Sequence, residues 1–394
     1  MPPECYNAYA EVYSMAARSL STPLVSAVDV SKHFVMAESF LSRRLAGIPD
    51  RCIRAVDGVS ISIYPGETVG LVGESGCGKS TFGRTVAGLL QPTSGQVYYG
   101  DAPIWGSGAI DRSELKHHAQ IIFQNPYSSL NPRYTVGQTI GIALAAGDVP
   151  SRRREAEALS LMARVGLSPD YLQRYPHQLS GGQRQRVGIA RALATRPRFI
   201  VADEPLSSLD VSVQAQTISL LQDLQDEYGL SYLLIAHDLR VVYHMCQRVA
   251  VMYAGQIVES APTDDLFQRP LHPFTKQLLE AIPGSGRRRR RARPGIGRVP
   301  LRSPHSAGAE ASTEQSEDPI PEDAGDHVSR SGKGCRYEHR CKLAAPICQE
   351  CEPELLAPSP NLRGASDSFP EGSGYEPGFE PAGRHLVRCH MSHD

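Results

Sequence analysis

The 394-residue sequence has no apolar stretch of the length needed to cross a bilayer, so a chain that does not itself span a membrane is expected. Its first residues, MPPECYNAYAEVYSMAARS, lack the basic start and apolar core of a secretion signal, which predicts a cytosolic location. An excess of one charge is missing too. The 41 Lys and Arg stand against 42 Asp and Glu, a formal net charge of −1. That balance excludes a global field for polyanions, and no nucleic-acid partner is expected. No internal repeat and no sustained heptad pattern are present. The length allows two or three domains and a large core. Of the nine cysteines, four fall between Cys335 and Cys351, and Cys389 lies near the end. In a cytosolic chain such a cluster points to metal more than to disulfides.

What is present starts with GESGCGKST, comprising Gly73, Glu74, Ser75, Gly76, Cys77, Gly78, Lys79, Ser80 and Thr81. It fits the P-loop pattern G-x-x-x-x-G-K-[ST]. An apolar run, Thr68 to Val72, predicts a strand before it, and Phe82 to Leu90 predicts a helix after it. The glycines let backbone N–H groups wrap phosphates, and the helix N-terminus adds partial positive charge. Lys79 can reach the β- and γ-phosphates of ATP, and the Ser80 hydroxyl can ligate Mg²⁺. Further on, FIVADEP (Phe199 to Pro205) predicts a buried strand ending in two carboxylates. Asp203 can hold Mg²⁺ through water, and Glu204 can orient the attacking water. Between these lies LSGGQRQR, Leu179 to Arg186. There Ser180, Gly181 and Gly182 precede an amphipathic helix expected from about Gln183 to Ala194, and small residues at a helix N-terminus make an anion site.

LSGGQ resembles the signature motif of ATP-binding cassette (ABC) ATPases, in which this site faces the γ-phosphate held by the other subunit's P-loop. Other positions match the family in turn. Gln124, in IIFQNP, resembles the Q-loop glutamine that contacts Mg²⁺ and the attacking water. Ser207 to Asp210, SSLD, resembles the D-loop at the dimer interface. His237, in LLIAHD, resembles the switch histidine that contacts the γ-phosphate. Phe34, in SKHF, sits where the family keeps an aromatic residue against adenine, before an insertion at Val35 to Arg54. The resemblance thus makes Lys79, Gln124, Glu204 and His237 the catalytic set, and it adds Gln183 and Asp210 to the nucleotide site.

RAVDGVSISIYPGETVGLVGESGCGKST, IIFQNPYSSLNPR, RYPHQLSGGQRQRVGIARAL, DVSVQAQ, IAHDL and LHPFTKQLLEAIP together resemble the ATPase subunits of oligopeptide/dipeptide ABC importers. The resemblance implies an α/β fold, a P-loop NTPase of the ABC type with a RecA-like core and a helical signature lobe, plus a small irregular Cys-rich extension. The expected division is an N-terminal extension 1–22 and an ATPase domain 23–265, with its helical lobe at about 127–178. A helical appendage 266–286, an Arg-rich linker 287–334 and a Cys-rich segment 335–394 follow. The implied partners are a second, non-identical ATPase subunit, two transmembrane permeases and, indirectly, an extracytoplasmic solute-binding protein. The implied location is peripheral, at the cytoplasmic face of the membrane. A soluble, non-transport ABC ATPase is the alternative, as is import of nickel or oligosaccharide. In the tail, the resemblance favours Cys335, Cys341, Cys348 and Cys389 as ligands of an iron–sulfur cluster, [4Fe-4S]. Zinc and free thiols remain open, and proximity favours Cys351 over Cys389. The run Arg287 to Arg293 reads as solvated linker, with anionic lipid contact as the functional alternative.

Overall fold

The structure, a computed structural model, describes residues 22–36, 51–207, 209–282, 334–358 and 385–392. The N-terminal extension up to residue 21, most of the insertion, Ser208, the Arg287–Arg293 run and the segment 359–384 lie outside the described residues.

The parallel strands are short and mostly apolar. β3 (Thr68–Val72), β7 (Phe199–Asp203) and β8 (Ser231–Ile235) are buried at every residue, as strands covered on both faces must be. With β6 (Ala119–Ile122), β9 (Arg248–Tyr253), β10 (Gln256–Pro262) and β11 (Leu386–Val387) they form a seven-stranded sheet in the order β11-β10-β9-β3-β8-β7-β6. Pairing is parallel from β9 to β6; β10 and β11 are antiparallel additions. A second, antiparallel sheet has the order β2-β1-β4-β5, built from β1 (Val25–Met36), β2 (Arg51–Ile63), β4 (Ser94–Tyr99) and β5 (Ala102–Pro103). Val30, Val56, Ile61, Val69, Leu71, Phe82, Val86 and Phe199 fill one core that joins this sheet, the helix Lys79–Val86 and the parallel strands.

Helices Val136–Ala146, Ser151–Arg164 and Gly181–Leu193 lie between β6 and β7 in sequence, and Ile140, Leu144, Met162, Val187 and Ile189 bury their apolar faces together. Thr135 and Gln138 form a capping box that starts the first of them. Because the chain crosses over between parallel strands, their carboxyl ends share one edge. The loops after β3, β6, β7 and β8 carry Gly73, Gln124, Glu204 and His237. Such an edge is where open α/β sheets bind ligands.

Two expectations are adjusted. The helix after the P-loop runs Lys79–Val86 rather than from Phe82 to Leu90. It stops because Gly88 turns into the left-handed region at φ 75°. The Cys-rich tail is also not wholly irregular. β11 pairs with β10 through Glu259–Val387 and Ser260–Leu386, so the tail extends the main sheet.

Candidate functional site

The loop after β3 closes only because two of its glycines lack side chains. A Cβ on Gly73 (φ 155°) would meet the Met252 carbonyl oxygen at 2.1 Å, and one on Gly78 (φ 108°) the Ala55 carbonyl oxygen at 1.9 Å. The loop is therefore pressed against β9 on one side and β2 on the other. Gly255 N–H donates to the Cys77 carbonyl at 2.9 Å, a third tie. Inside the loop, buried Lys79 donates from Nζ to the carbonyls of Gly73 (2.9 Å) and Glu74 (2.7 Å). Ser75, Gly76 and Thr81 complete the loop and the first helical turn.

The structure brings two of the three predicted Mg²⁺ residues, Ser80 and Asp203, together, while Gln124 bonds Glu204 instead. Ser80 Oγ donates to Asp203 Oδ1 at 2.8 Å, across 123 positions of sequence. Asp203 is 1% exposed. Burial raises its carboxyl above the usual range, only partly offset by the Ser80 hydrogen bond. A buried carboxylate of this kind gains most from a nearby cation.

Glu204 follows in a left-handed conformation, φ 44°, that a Glu adopts only at some cost, of order 1 kcal/mol. Its N–H donates to the Ile235 carbonyl at 2.9 Å, which ties the turn to β8. Its carboxylate is the meeting point of three loops. Gln124 Nε2 donates to Oε2 at 2.7 Å, and His237 Nδ1 lies 3.6 Å from the same oxygen. A pocket lined by Glu204, Ser207, Gln214, His237 and Val241 opens beside it. Gln214, which the sequence did not single out, holds the D-loop by donating to the carbonyls of Leu206 (3.1 Å) and Leu209 (3.0 Å). Asp210 is exposed and sits at the N-cap of the helix Val211–Tyr228.

Other predicted residues stand apart. Ser180 N-caps the helix Gly181–Leu193 in a reciprocal pair: its Oγ accepts from Gln183 N–H (3.2 Å), and Gln183 Oε1 accepts from Ser180 N–H (2.9 Å). Gly182 lies against Val213 of the next helix. Among the described residues no hydrogen bond or ion pair joins Ser180–Gln183 to the P-loop, Asp203 or Glu204. Phe34 is 39% exposed on β1, with the Lys32 ammonium 5.4 Å from its ring centre.

Comparison with known proteins agrees with this geometry. The ABC transporter family model matches residues 56–207, and the model for the oligopeptide/dipeptide transporter C-terminal region matches residues 258–348. The oligopeptide transport ATP-binding protein AppF of Bacillus subtilis is 41% identical over 335 residues, 84% of this chain and 93% of that protein. The chain belongs to the ATP-binding subunits of oligopeptide/dipeptide-type ABC transporters. The dipeptide transport ATP-binding protein DppF of Escherichia coli is 40% identical over 339 residues, covering 86% of this chain and 92% of DppF. A solved dimeric, post-hydrolysis structure of the cassette MJ0796, bound to ADP and Pi, matches with TM-score 0.52 at 29% identity. It covers 61% of this chain and 98% of that one. As a member of the ABC ATPase family the chain is an ATPase, with ATP and Mg²⁺ the implied substrate and ion. Among the described residues no helix is long and apolar enough to cross a membrane.

The tail of this ABC subunit gathers its thiols. Burial pushes the Cys335 thiol up to about 11, and the nearby sulfurs of Cys348, Cys389 and Cys341 push in the same direction. Cys389 is raised by burial and again by Cys341 and Cys348. Cys348 and Cys389 are buried, whereas Cys351 is exposed. Among the described residues no group of three or more His, Cys, Asp or Glu side chains is set to hold a metal ion.

Proposed function

We propose that this chain powers a membrane importer for peptides or related small solutes by hydrolysing ATP at the edge of β3, β6, β7 and β8. The observation that carries the reading is the convergence of Gln124 and His237 on the Glu204 carboxylate, beside the Ser80–Asp203 pair. Lys79 exchanges its two carbonyl partners for phosphate oxygens as ATP binds. Glu204 orients and deprotonates the attacking water, and Gln124 fixes the direction of its carboxylate. His237 and Lys79 stabilise the charge that builds on the γ-phosphate. Ser80, Asp203 and Gln124 would hold Mg²⁺, which when bound neutralises phosphate charge. Phe34 would stack against adenine from β1.

Among the described residues Ser180–Gln183 make no hydrogen bond or ion pair with the chain's own P-loop, and a second ATPase subunit would complete the site; the dimeric MJ0796 cassette supports that reading. Relatives named for oligopeptide and dipeptide transport support a peptide cargo; two permease partners and a position on the cytoplasmic face of the membrane go with that role. The division into an ATPase domain 23–265, an appendage 266–286 and a Cys-rich tail goes with this assignment.

A second reading concerns the tail. Cys335, Cys341, Cys348 and Cys389 share one neighbourhood and offer four soft donors, a set whose chemistry suits an iron–sulfur cluster. Zinc is the alternative occupant of the same thiols. Purification of the chain from its own membranes in mild detergent tests the main reading. Two permeases and a second ATPase should accompany it; a chain recovered alone from the soluble fraction would refute the importer assignment. Iron and acid-labile sulfide in the same preparation would support the cluster.

A further inference from the structure

The Cys-rich tail touches the nucleotide loop itself. Arg340 lies immediately before Cys341, and its Nη1 donates to both oxygens of Glu74, at 2.9 and 3.0 Å. Glu74 is the second residue of the P-loop, and its carbonyl is one of the two that Lys79 Nζ contacts. Four residues earlier, Arg336 pairs with the Asp57 carboxylate and donates to the Ala254 carbonyl. Asp57 N–H donates to the Gly255 carbonyl at 2.9 Å, and Gly255 N–H donates to Cys77 in the middle of the P-loop at 2.9 Å. Between the two arginines, Tyr337 is 4% exposed, packed on Tyr253, Phe274 and His272, with its hydroxyl donating to Gln277 at 2.6 Å. That packing fixes where the two guanidinium groups emerge.

We propose that Arg340 and Arg336 are positioning residues for the nucleotide: the Cys-rich segment braces the P-loop at Glu74 and at Cys77, so its docking sets nucleotide affinity. The inference rests on the nucleotide reading of Gly73–Thr81. It extends that reading by making a segment more than 250 residues downstream part of the site's support. The physical reason is order. A Gly-rich loop has many conformations, and each tie that survives without ligand lowers the entropy that binding must remove. Coupling is reciprocal, so nucleotide must tighten the tail as much as the tail tightens nucleotide. The Arg340–Glu74 pair is about one-third exposed on each side, which limits its effect to a modest factor.

Binding of a fluorescent MgADP analogue to the full-length chain tests this. Arg340→Ala should weaken binding about five-fold, corresponding to roughly 1 kcal/mol. Arg340→Lys should recover part of it. Glu74→Gln combined with Arg340→Ala should be no weaker than the worse single variant, because both remove the same contact. An affinity unchanged by Arg340→Ala would overturn the proposal. If that variant does not fold, the wild-type protein still decides. Saturating MgADP should slow amide hydrogen exchange across 335–351, and exchange identical with and without MgADP would overturn it. Lys79→Ala separates the two claims. A wild-type chain that binds MgADP no better than Lys79→Ala refutes the nucleotide reading itself, whereas wild-type binding that Arg340→Ala leaves intact refutes only the brace.

Discussion

Glu204 has its backbone held in the left-handed region by β8 and its carboxylate held by Gln124 and His237. Each of these residues comes from a different loop, so a water bound at this carboxylate senses all of them. Replacing the carboxylate by an amide keeps the shape and removes the base. Glu204→Gln should therefore retain ATP binding while turnover falls about 10²- to 10⁴-fold. Stopped-flow phosphate release on the assembled complex measures this, and normal turnover would exclude Glu204 as the catalytic base. At this scale much was legible: Lys79, Ser80, Asp203 and Glu204 follow from residue order and from the strand-ending context of each motif. The turn at Glu204 was not, because φ 44° is imposed by a hydrogen bond to Ile235, a neighbour only in space. The Arg340–Glu74 pair was equally hidden, since neither periodicity nor spacing links residues 266 apart.

At the scale of elements, the appendage and tail are locked to the sheet by one buried carboxylate. Glu259 on β10 is 0% exposed. It accepts N–H bonds from Leu271 (2.8 Å) and His272 (2.9 Å) and a third from His385 Nε2 at 2.7 Å. That explains LHPFTK in physical terms. His272 caps the helix Pro273–Glu280 by accepting the Phe274 N–H on Nδ1 at 3.1 Å, while its own backbone N–H reaches Glu259. Burial holds the His272 imidazole down at about 4, against the pull of Glu259 and with a small push from Lys276. Unfolded, it takes up a proton below about 6.5. The folded chain binds fewer protons between those values, so stability falls as pH drops from about 6.5 to 4 and the loss saturates below 4. Its size is on the order of 3 kcal/mol. Thermal unfolding of wild type and His272→Asn between pH 7 and pH 5 should show the steeper decline in the wild type; parallel curves would contradict this. The motif was readable as a family resemblance, but its partner His385, outside the motif and near the chain's end, was not.

At the scale of the whole molecule, the tail is where nearness in sequence and nearness in the fold differ. Short-loop entropy favoured Cys351, yet the fold returns Cys389 beside Cys335 because β11 pairs with β10. A longer loop costs little once a strand pairing is there to close it. The separation of Ser180–Gln183 from the P-loop also belongs to this scale. In the proposed assembly, the P-loop of one subunit and the Ser180–Gln183 helix start of another complete each hydrolysis site. The most direct measurement of the account is ATP turnover against state of assembly, with Ser180→Arg as the probe. The isolated monomer should be nearly inactive. In the complete complex, Ser180→Arg should lower turnover while the variant's own affinity for MgATP stays close to wild type. A strictly monomeric chain that hydrolyses ATP at the rate of the complex would contradict the account.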